Sequence, residues 1–318
     1  MPDPAVPDVV VSIVDHENRE LVRACLNSLP AACEGVTWQA TVIDNVSGDG
    51  SLEMLAQEFP DVTVIANRSR LGFGANHNQV LRPMAASVGT SARYALVLND
   101  DTTVEPAAVT RLVRMLDANP GIAAVVPTIV DGQGRVAASR IAYPNARNAW
   151  HGDWTDVTEP ADPEHGYLQG CCLLLRVAAV AEVGPFDERF FLFYEDVDLS
   201  RRLLDAGWAL GVCPDAVVLH VGHASVFKPG MVEVTPLQGR RSRYLYLCLH
   251  EGRARAEAIT AIGRLLLLTR ALKATAGATV RHDPTRKDRA RRLFQLAALN
   301  PRRPIPPTPR PSALRALP

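Results

Sequence analysis

Short β-branched runs alternate with stretches whose apolar residues recur every three or four positions through the first two hundred or so residues. The run DVVVSIV predicts a strand, and NRELVRACLNSL after it sets Leu21, Cys25, Leu26 and Leu29 on one helical face. WQATVIDN, VTVIAN and YALVLNDD predict further strands, separated by a short helix from about Ser51 and another from about Ala75. Later runs of strand character are IAAVVPTIVD, CCLLLRV and ALGVCPDAVVLH. Such βαβαβ alternation predicts an α/β fold with a mainly parallel sheet flanked by helices on both faces. A variable loop is expected from about Ala138 to Glu164, with Trp150 and Trp154 as candidates for shaping a binding site. Past Phe227 the strand signals stop and helix formers with arginine take over, and from Asn300 the chain is proline-rich and expected to be disordered. No internal repeat is visible.

In a parallel sheet, ligands gather beyond the carboxyl ends of the strands. Three acidic clusters are expected there on one rim: Asp15-His16-Glu17, Asp44-Asn45 and Asn99-Asp100-Asp101. Adjacent aspartates at a strand end suit a hard divalent cation with oxygen ligands, although a strand cap leading to a helix that starts at Pro106 would use the same residues. Asp44 alone reads equally as an Asx-turn before VSGDGS, and RLGFGANHNQV as a glycine-permitted bend before a helix. A further cluster stands in FFLFYEDVDLSRRL, where Glu195, Asp196 and Asp198 follow a run of bulky apolar residues. Capping of the helix that follows accounts for one carboxylate there, not for three beside Phe190, Phe191 and Phe193.

Formal net charge is zero over 318 residues, but residues 231–318 hold 18 Lys/Arg against 5 Asp/Glu. A basic appendage thus follows an acidic body, expected as residues 228–300 after a catalytic domain of residues 1–227, with 301–318 as a proline-rich tail. Such a segment either covers acidic surface or meets an anionic partner. MPDPAVPDVVVSIV has no basic n-region and is not expected to be a signal peptide. The most apolar segment, Ala258 to Gly277, is broken by Arg264, Arg270 and Lys273, so it is expected to lie on a membrane rather than cross one. The six cysteines have no C-x-x-C spacing and read as reduced core residues of a cytoplasmic protein. No nucleic-acid-binding module is recognisable, and no nucleic-acid partner is expected.

Taken in order, VSIV…NRELVRACLNSL, VIDNVSGDGS, LGFGANHN, LNDDTTVEP, GPFDERFFLFYEDVDLSRRLLDAGW and PDAVVLHVGHAS resemble the family 2 glycosyltransferases, nucleotide-sugar enzymes of the GT-A fold, over roughly residues 9–225. The pattern is most similar to bacterial rhamnosyltransferase-type members. The resemblance implies a metal-dependent inverting transfer from a nucleotide-sugar donor, with dTDP-rhamnose favoured among dTDP- and UDP-sugars. It implies Asp196 as catalytic base, with Glu195 the second candidate, because a sugar hydroxyl must lose its proton as it attacks. Asp198 then starts the helix or supports its neighbours. It further implies Asp101 and His220 as ligands of Mg2+ or Mn2+, His223 as a lesser candidate, and Asp15, Asp44, Asn78, Asn99 and Asp100 as donor-binding residues. Arg70 is expected to be an exposed surface arginine, with a phosphate contact as the alternative. Asp15-His16-Glu17 departs from the family's usual Thr-Tyr-Asn-like sequence, which bears on nucleobase preference.

The implied acceptor is a lipid-linked saccharide or other glycan in cell-wall or polysaccharide biosynthesis, met at the inner face of the cell membrane through the basic C-terminal region. A soluble natural-product acceptor is the alternative within the same chemistry. A catalytically inactive nucleotide-sugar-binding protein would fit the departure after the first strand, but not the presence of Asp101, Asp196 and His220. A nucleotidyltransferase would need a glycine-rich basic phosphate loop, which DHENRE is not.

Overall fold

The structure is a computed structural model that describes residues 6–144, 166–222, 235–281, 284–298 and 300–301. Trp150, Trp154, His223 and the proline-rich tail beyond Pro301 lie outside the described residues. The chain divides into two compact units, one of residues 1–143 and 155–225 and one of residues 144–154 and 226–318.

The first unit runs β1 (Val9–Asp15), α1 (Arg19–Ala32), β2 (Trp38–Asp44), α2 (Ser51–Glu58), β3 (Thr63–Ala66), α3 (Phe73–Ala86), β4 (Tyr94–Asn99), β5 (Thr102–Val104) and α4 (Ala108–Ala118). It continues with β6 (Ile122–Asp131), β7 (Val136–Ala137), β8 (Arg140–Ala142), β9 (Gly166–Leu168), β10 (Cys172–Arg176), α5 (Val177–Val183), α6 (Glu195–Asp205) and β11 (Ala209–His220). The large sheet has the order β3-β2-β1-β4-β10-β6-β11-β5, with β7 beside β6, while β8 and β9 form a separate pair. From β3 to β4 every pairing is parallel, as the βαβ alternation predicts. Beyond β4 the sheet is mixed: β10 runs antiparallel between β4 and β6, and β11 is parallel to β6 but antiparallel to β5.

Alternation within β1 explains the two-sided core. Val9, Val11 and Ile13 pack with Val22, Cys25, Leu26 and Leu29 of α1, while Val10 and Val14 face the cluster that includes Val80, Leu81 and Met84 of α3. A side-chain period of two sends neighbours to opposite faces, so a strand covered on both sides must be apolar throughout. Helix α4 begins at Ala108, two residues after Pro106, because Ala107 takes a left-handed conformation. All six cysteines are free, and five of them are buried.

The second unit contains α7 (Thr235–His250), α8 (Arg253–Arg281) and α9 (Pro284–Ala298), with α8 packed against both of the others. Ile262, Leu265, Leu268 and Leu272 of α8 are exposed and recur at helical spacing on one face. Among the described residues, no helix is long and apolar enough to cross a membrane.

Candidate active site

Parallel strands end on the same side, and register brings the acidic residues together there. Asp15 closes β1 directly opposite Asp44 at the end of β2, and Val14 pairs with Asn99 at the end of β4. Each carboxylate then organises a loop. The backbone N–H of Asn18 donates to Asp15 at 3.2 Å and the Ser47 hydroxyl donates to it at 3.1 Å. The N–H of Ser47 donates to Asp44 at 3.1 Å, so the Asx-turn reading of Asp44 holds geometrically. Asp100 accepts from the Asn18 side chain at 2.9 Å and from the His16 N–H at 3.4 Å.

This rim is crowded with buried carboxyl groups. Burial raises the Asp15 carboxyl above its ordinary value, outweighing the bonds from Ser51 and Asn18. Burial, together with repulsion from Asp101 and Asp15, pushes Asp100 up to about 8. Backbone strain concentrates here too: four of the five described non-glycine residues with positive φ are Glu17 and Val46, beyond β1 and β2, and Phe193 and Tyr194 before α6. Left-handed conformations at such residues cost on the order of 1–3 kcal/mol each and persist where the surroundings enforce them, commonly at functional sites.

Asp101 meets His220 because β5 turns back against β11. Thr102 pairs with His220, the last residue of β11, and the Val221 N–H donates to the Asp101 carbonyl at 3.0 Å. The imidazole Nε2 then lies 3.2 Å from Asp101 Oδ1 and 3.3 Å from the Asn99 amide nitrogen. Burial by itself would lower the His220 pKa, but the bond to Asp101 and the adjacent Cys171 sulfur lift it to about 10.

The residues fit a divalent cation in donor type and spacing. A carboxylate oxygen and an imidazole nitrogen 3.2 Å apart match neighbouring ligands of an octahedral ion with bonds of about 2.1 Å, which are about 3 Å apart. A bound cation would take the place of the imidazole proton. Among the described residues no group of three or more His, Cys, Asp or Glu could hold a metal ion, so Asp101 and His220 would need oxygens from a substrate or water beside them.

The second half of the site starts α6. Tyr194, in a left-handed conformation, precedes Glu195, Asp196 and Asp198 in the first turn. Asp198 is buried and paired with Arg202 at 2.8 Å, and Arg202 also donates to the carbonyls of Val183, Gly184 and Pro185. Its role is to tie the helix to the preceding loop. Glu195 is 5% exposed and its Oε2 has no hydrogen-bond partner among the described residues. Burial and the neighbouring Asp196 hold its carboxyl well above the ordinary range.

Asp196 keeps partial solvent access. It accepts from the Gly170 N–H at 3.1 Å and from the Val197 N–H at 2.8 Å. Burial raises its pKa to about 6 against those bonds. Two adjacent carboxyls cannot both ionise cheaply, and the stronger upward push falls on the more deeply buried Glu195. Of the three carboxylates, Asp196 is the one that keeps solvent access.

Two consecutive residues connect the halves. Gly170 donates to Asp196, while the Cys171 carbonyl accepts from the Asn99 N–H at 2.9 Å and the Cys171 sulfur lies beside His220. A side chain at 170 would crowd Asp196, with the added Cβ 3.3 Å from the Asp196 Cβ. The Gly170–Cys171 step gave no motif in the sequence, since a glycine before two cysteines reads as the start of a strand.

Loop 68–72 is held by side-chain amides. Asn45 exchanges hydrogen bonds with the backbone of Leu71, at 2.9 and 3.0 Å, and Asn67 donates to Asn76 at 2.6 Å. The glycines of LGFGANHN act by close approach rather than by bending. Neither Gly72 nor Gly74 has positive φ, but a Cβ at Gly72 would strike the Phe191 backbone and one at Gly74 would lie 2.7 Å from the Phe186 Cβ. Asn78 is buried and bonded to the Phe186 backbone in both directions, at 2.8 and 3.1 Å, and to Glu188 at 3.0 Å. Its contacts are with that loop rather than with the acidic rim. Arg70 is only 22% exposed, not the surface arginine expected, and it sits 3.9 Å from Glu17.

Residues 9–184, more than half of the chain, match the family model described as Glycosyl transferase family 2. Over 197 residues the chain is 32% identical to the N-acetylglucosaminyl-diphospho-decaprenol L-rhamnosyltransferase of Mycobacterium tuberculosis, a match covering 56% of this chain and 64% of that protein. It is 25% identical over 228 residues to the galactofuranosyltransferase GlfT1 of the same organism, covering 70% of this chain and 72% of that protein. Among solved structures, the mannosyltransferase PcManGT from Pyrobaculum calidifontis in complex with GDP-Man and Mn2+ superposes with a TM-score of 0.55 at 16% identity, covering 94% of this chain and 88% of that one.

Proposed function

We propose, from the premise that the chain belongs to glycosyl transferase family 2 and has the GT-A fold, that it moves L-rhamnose from dTDP-rhamnose, or the sugar of another dTDP- or UDP-sugar, onto a hydroxyl of a lipid-linked saccharide. The observation that carries the reading is the arrangement around Gly170–Cys171, which joins an accessible carboxylate with raised pKa to a carboxylate–imidazole pair.

In this reading Asp196 takes the proton of the acceptor hydroxyl as that oxygen attacks the anomeric carbon. A carboxylate lifted to about 6 is a stronger base than an exposed aspartate yet is ionised at neutral pH. Attack from the face opposite the leaving group inverts the anomeric centre in one displacement. Glu195, protonated, keeps a second negative charge away from Asp196. Asp101 and His220 would hold Mg2+ or Mn2+, which when bound neutralises charge on the departing nucleoside diphosphate. Asn99, Asp100, Asp15 and Asp44 form the rim against which the nucleoside is bound, with Asn18 and Ser47 fixing the carboxylates. Asn78 fixes the loop at Phe186, which precedes Glu195 and Asp196 in the chain.

The acceptor class rests on the rhamnosyltransferase relative, whose name specifies an N-acetylglucosaminyl-diphospho lipid, and on the C-terminal unit. The exposed apolar face of α8 within a strongly basic segment suits peripheral contact with an anionic membrane. The test is to incubate the protein and Mn2+ with dTDP-rhamnose, UDP-galactofuranose or other dTDP- and UDP-hexoses, together with an N-acetylglucosaminyl-diphospholipid. Mass spectrometry reads the product. A lipid heavier by one deoxyhexose is expected. Transfer from none of these donors, with the acceptor recovered unchanged, would overturn the proposal.

A further inference from the structure

The helical unit contains a cavity of about 40 Å3 lined by residues of α7 and α8 and by Pro301. One water needs roughly 10–15 Å3, so this space suits a group of several heavy atoms. Arg240 and Arg243 line it from α7, beside Tyr244, and Thr260 lines it from α8. Arg264 of α8 is near enough to repel Arg240, and it is fixed by donating from Nε to the Ala297 carbonyl of α9 at 3.0 Å.

Among the described residues none of the three arginines forms an ion pair with a carboxylate, and Arg243 Nε is buried with no hydrogen-bond partner. Glu257 accepts the hydroxyl of Tyr244, a lining residue, at 2.6 Å. Burial, followed by repulsion from Arg243 and Arg264, lowers Arg240 to about 10. Uncompensated part-buried charge is costly, and two guanidinium groups lining one cavity, with a third close enough to repel one of them, would be relieved by a multiply charged anion. The planar N–H fork of arginine matches phosphate oxygens two at a time, and Thr260 also lines the wall.

We infer that this cavity is a binding site for a phosphate or diphosphate group, held by Arg240 and Arg243. It belongs to the helical unit, apart from the residues assigned to sugar transfer, and does not rest on that reading. The group is carried either by a soluble molecule or by a lipid headgroup.

The test uses the full chain in EDTA and low salt, so that metal-dependent binding at the acidic rim does not contribute. Pyrophosphate is titrated calorimetrically, and co-sedimentation is measured with phosphatidylcholine vesicles with and without phosphatidylglycerol. Arg243→Gln is compared with Arg241→Gln, which removes an exposed charge from the same helix. Saturable pyrophosphate binding that weakens about tenfold or more in Arg243→Gln and is unchanged in Arg241→Gln is expected for a soluble group. The same selectivity in binding to phosphatidylglycerol vesicles alone would assign the site to a lipid headgroup. Arg240→Gln provides a second readout: it should raise the melting temperature without anion by relieving repulsion, and should diminish the stabilisation that pyrophosphate gives. No saturable binding to either probe, or equal losses in Arg243→Gln and Arg241→Gln, would overturn the inference.

Discussion

Replacing Glu195 by glutamine tests the carboxyl pair without touching the proposed base. Glu195 is 5% exposed, and burial and Asp196 hold its proton on in the folded state. In the unfolded chain it ionises near the ordinary glutamate value of 4.5. A folded pKa raised above the unfolded one contributes stability that is fully present below about pH 4.5 and is lost as pH rises toward the folded value. Over that interval the folded state holds one proton more than the unfolded state. The unfolding constant should therefore grow by up to about tenfold per pH unit from this residue alone. Each pH unit within that interval is worth at most about 1.4 kcal/mol. Glutamine removes the titration but brings an amide to a place where Oε2 has no partner, at a cost of about 1–3 kcal/mol that does not vary with pH. The diagnostic quantity is thus the slope rather than the offset. Hydrogen exchange of peptides from β1 and β4, compared between variant and wild type at pH 5, 6 and 7, isolates it, since intrinsic exchange cancels in the ratio. The wild type should lose protection relative to Glu195→Gln with each unit of pH. Parallel behaviour across the range would refute a protonated Glu195.

Gly72→Ala should destabilise the α/β unit by about 1–3 kcal/mol, because the added Cβ strikes Phe191 backbone rather than a movable side chain; an unchanged urea midpoint would contradict this. Asp101→Ala should lower transfer by at least about a hundredfold and weaken Mn2+ binding in a calorimetric titration with nucleoside diphosphate present, whereas an unaffected titration would move the metal elsewhere. Leu265→Ser with Leu272→Ser should reduce flotation with anionic vesicles severalfold while leaving transfer to a short, soluble acceptor analogue intact. Loss of both together would make that face structural.

The acidic rim was legible because two simple facts suffice: the βαβ alternation makes strands parallel, and parallel strands end together. Asp15, Asp44 and Asn99 follow from that, as the register shows. The meeting of Asp101 with His220 was reached through resemblance, because the pairing of β5 with β11 joins segments more than a hundred residues apart. The antiparallel insertion of β10 had no local signal, since an apolar run reads alike in either direction. The supporting polar groups were also hidden. Asn18, Ser47, Asn67 and Asn76 lie among other polar residues, and only the folded chain shows which carboxylate or carbonyl each one reaches. Asn78 carries the same lesson: a polar residue in a recognisable motif is engaged by the loop at Phe186.

The most direct test of the account is single-turnover transfer by Asp196→Asn beside Glu195→Gln and wild type, with donor binding measured on the same samples. The expected result is donor affinity within about twofold for all three, transfer abolished in Asp196→Asn, and transfer within about tenfold of wild type in Glu195→Gln. Wild-type activity should also fall as pH drops through about 6, the range where Asp196 gains its proton. Transfer that survives in Asp196→Asn with an unchanged pH profile would contradict the assignment of Asp196 as the base.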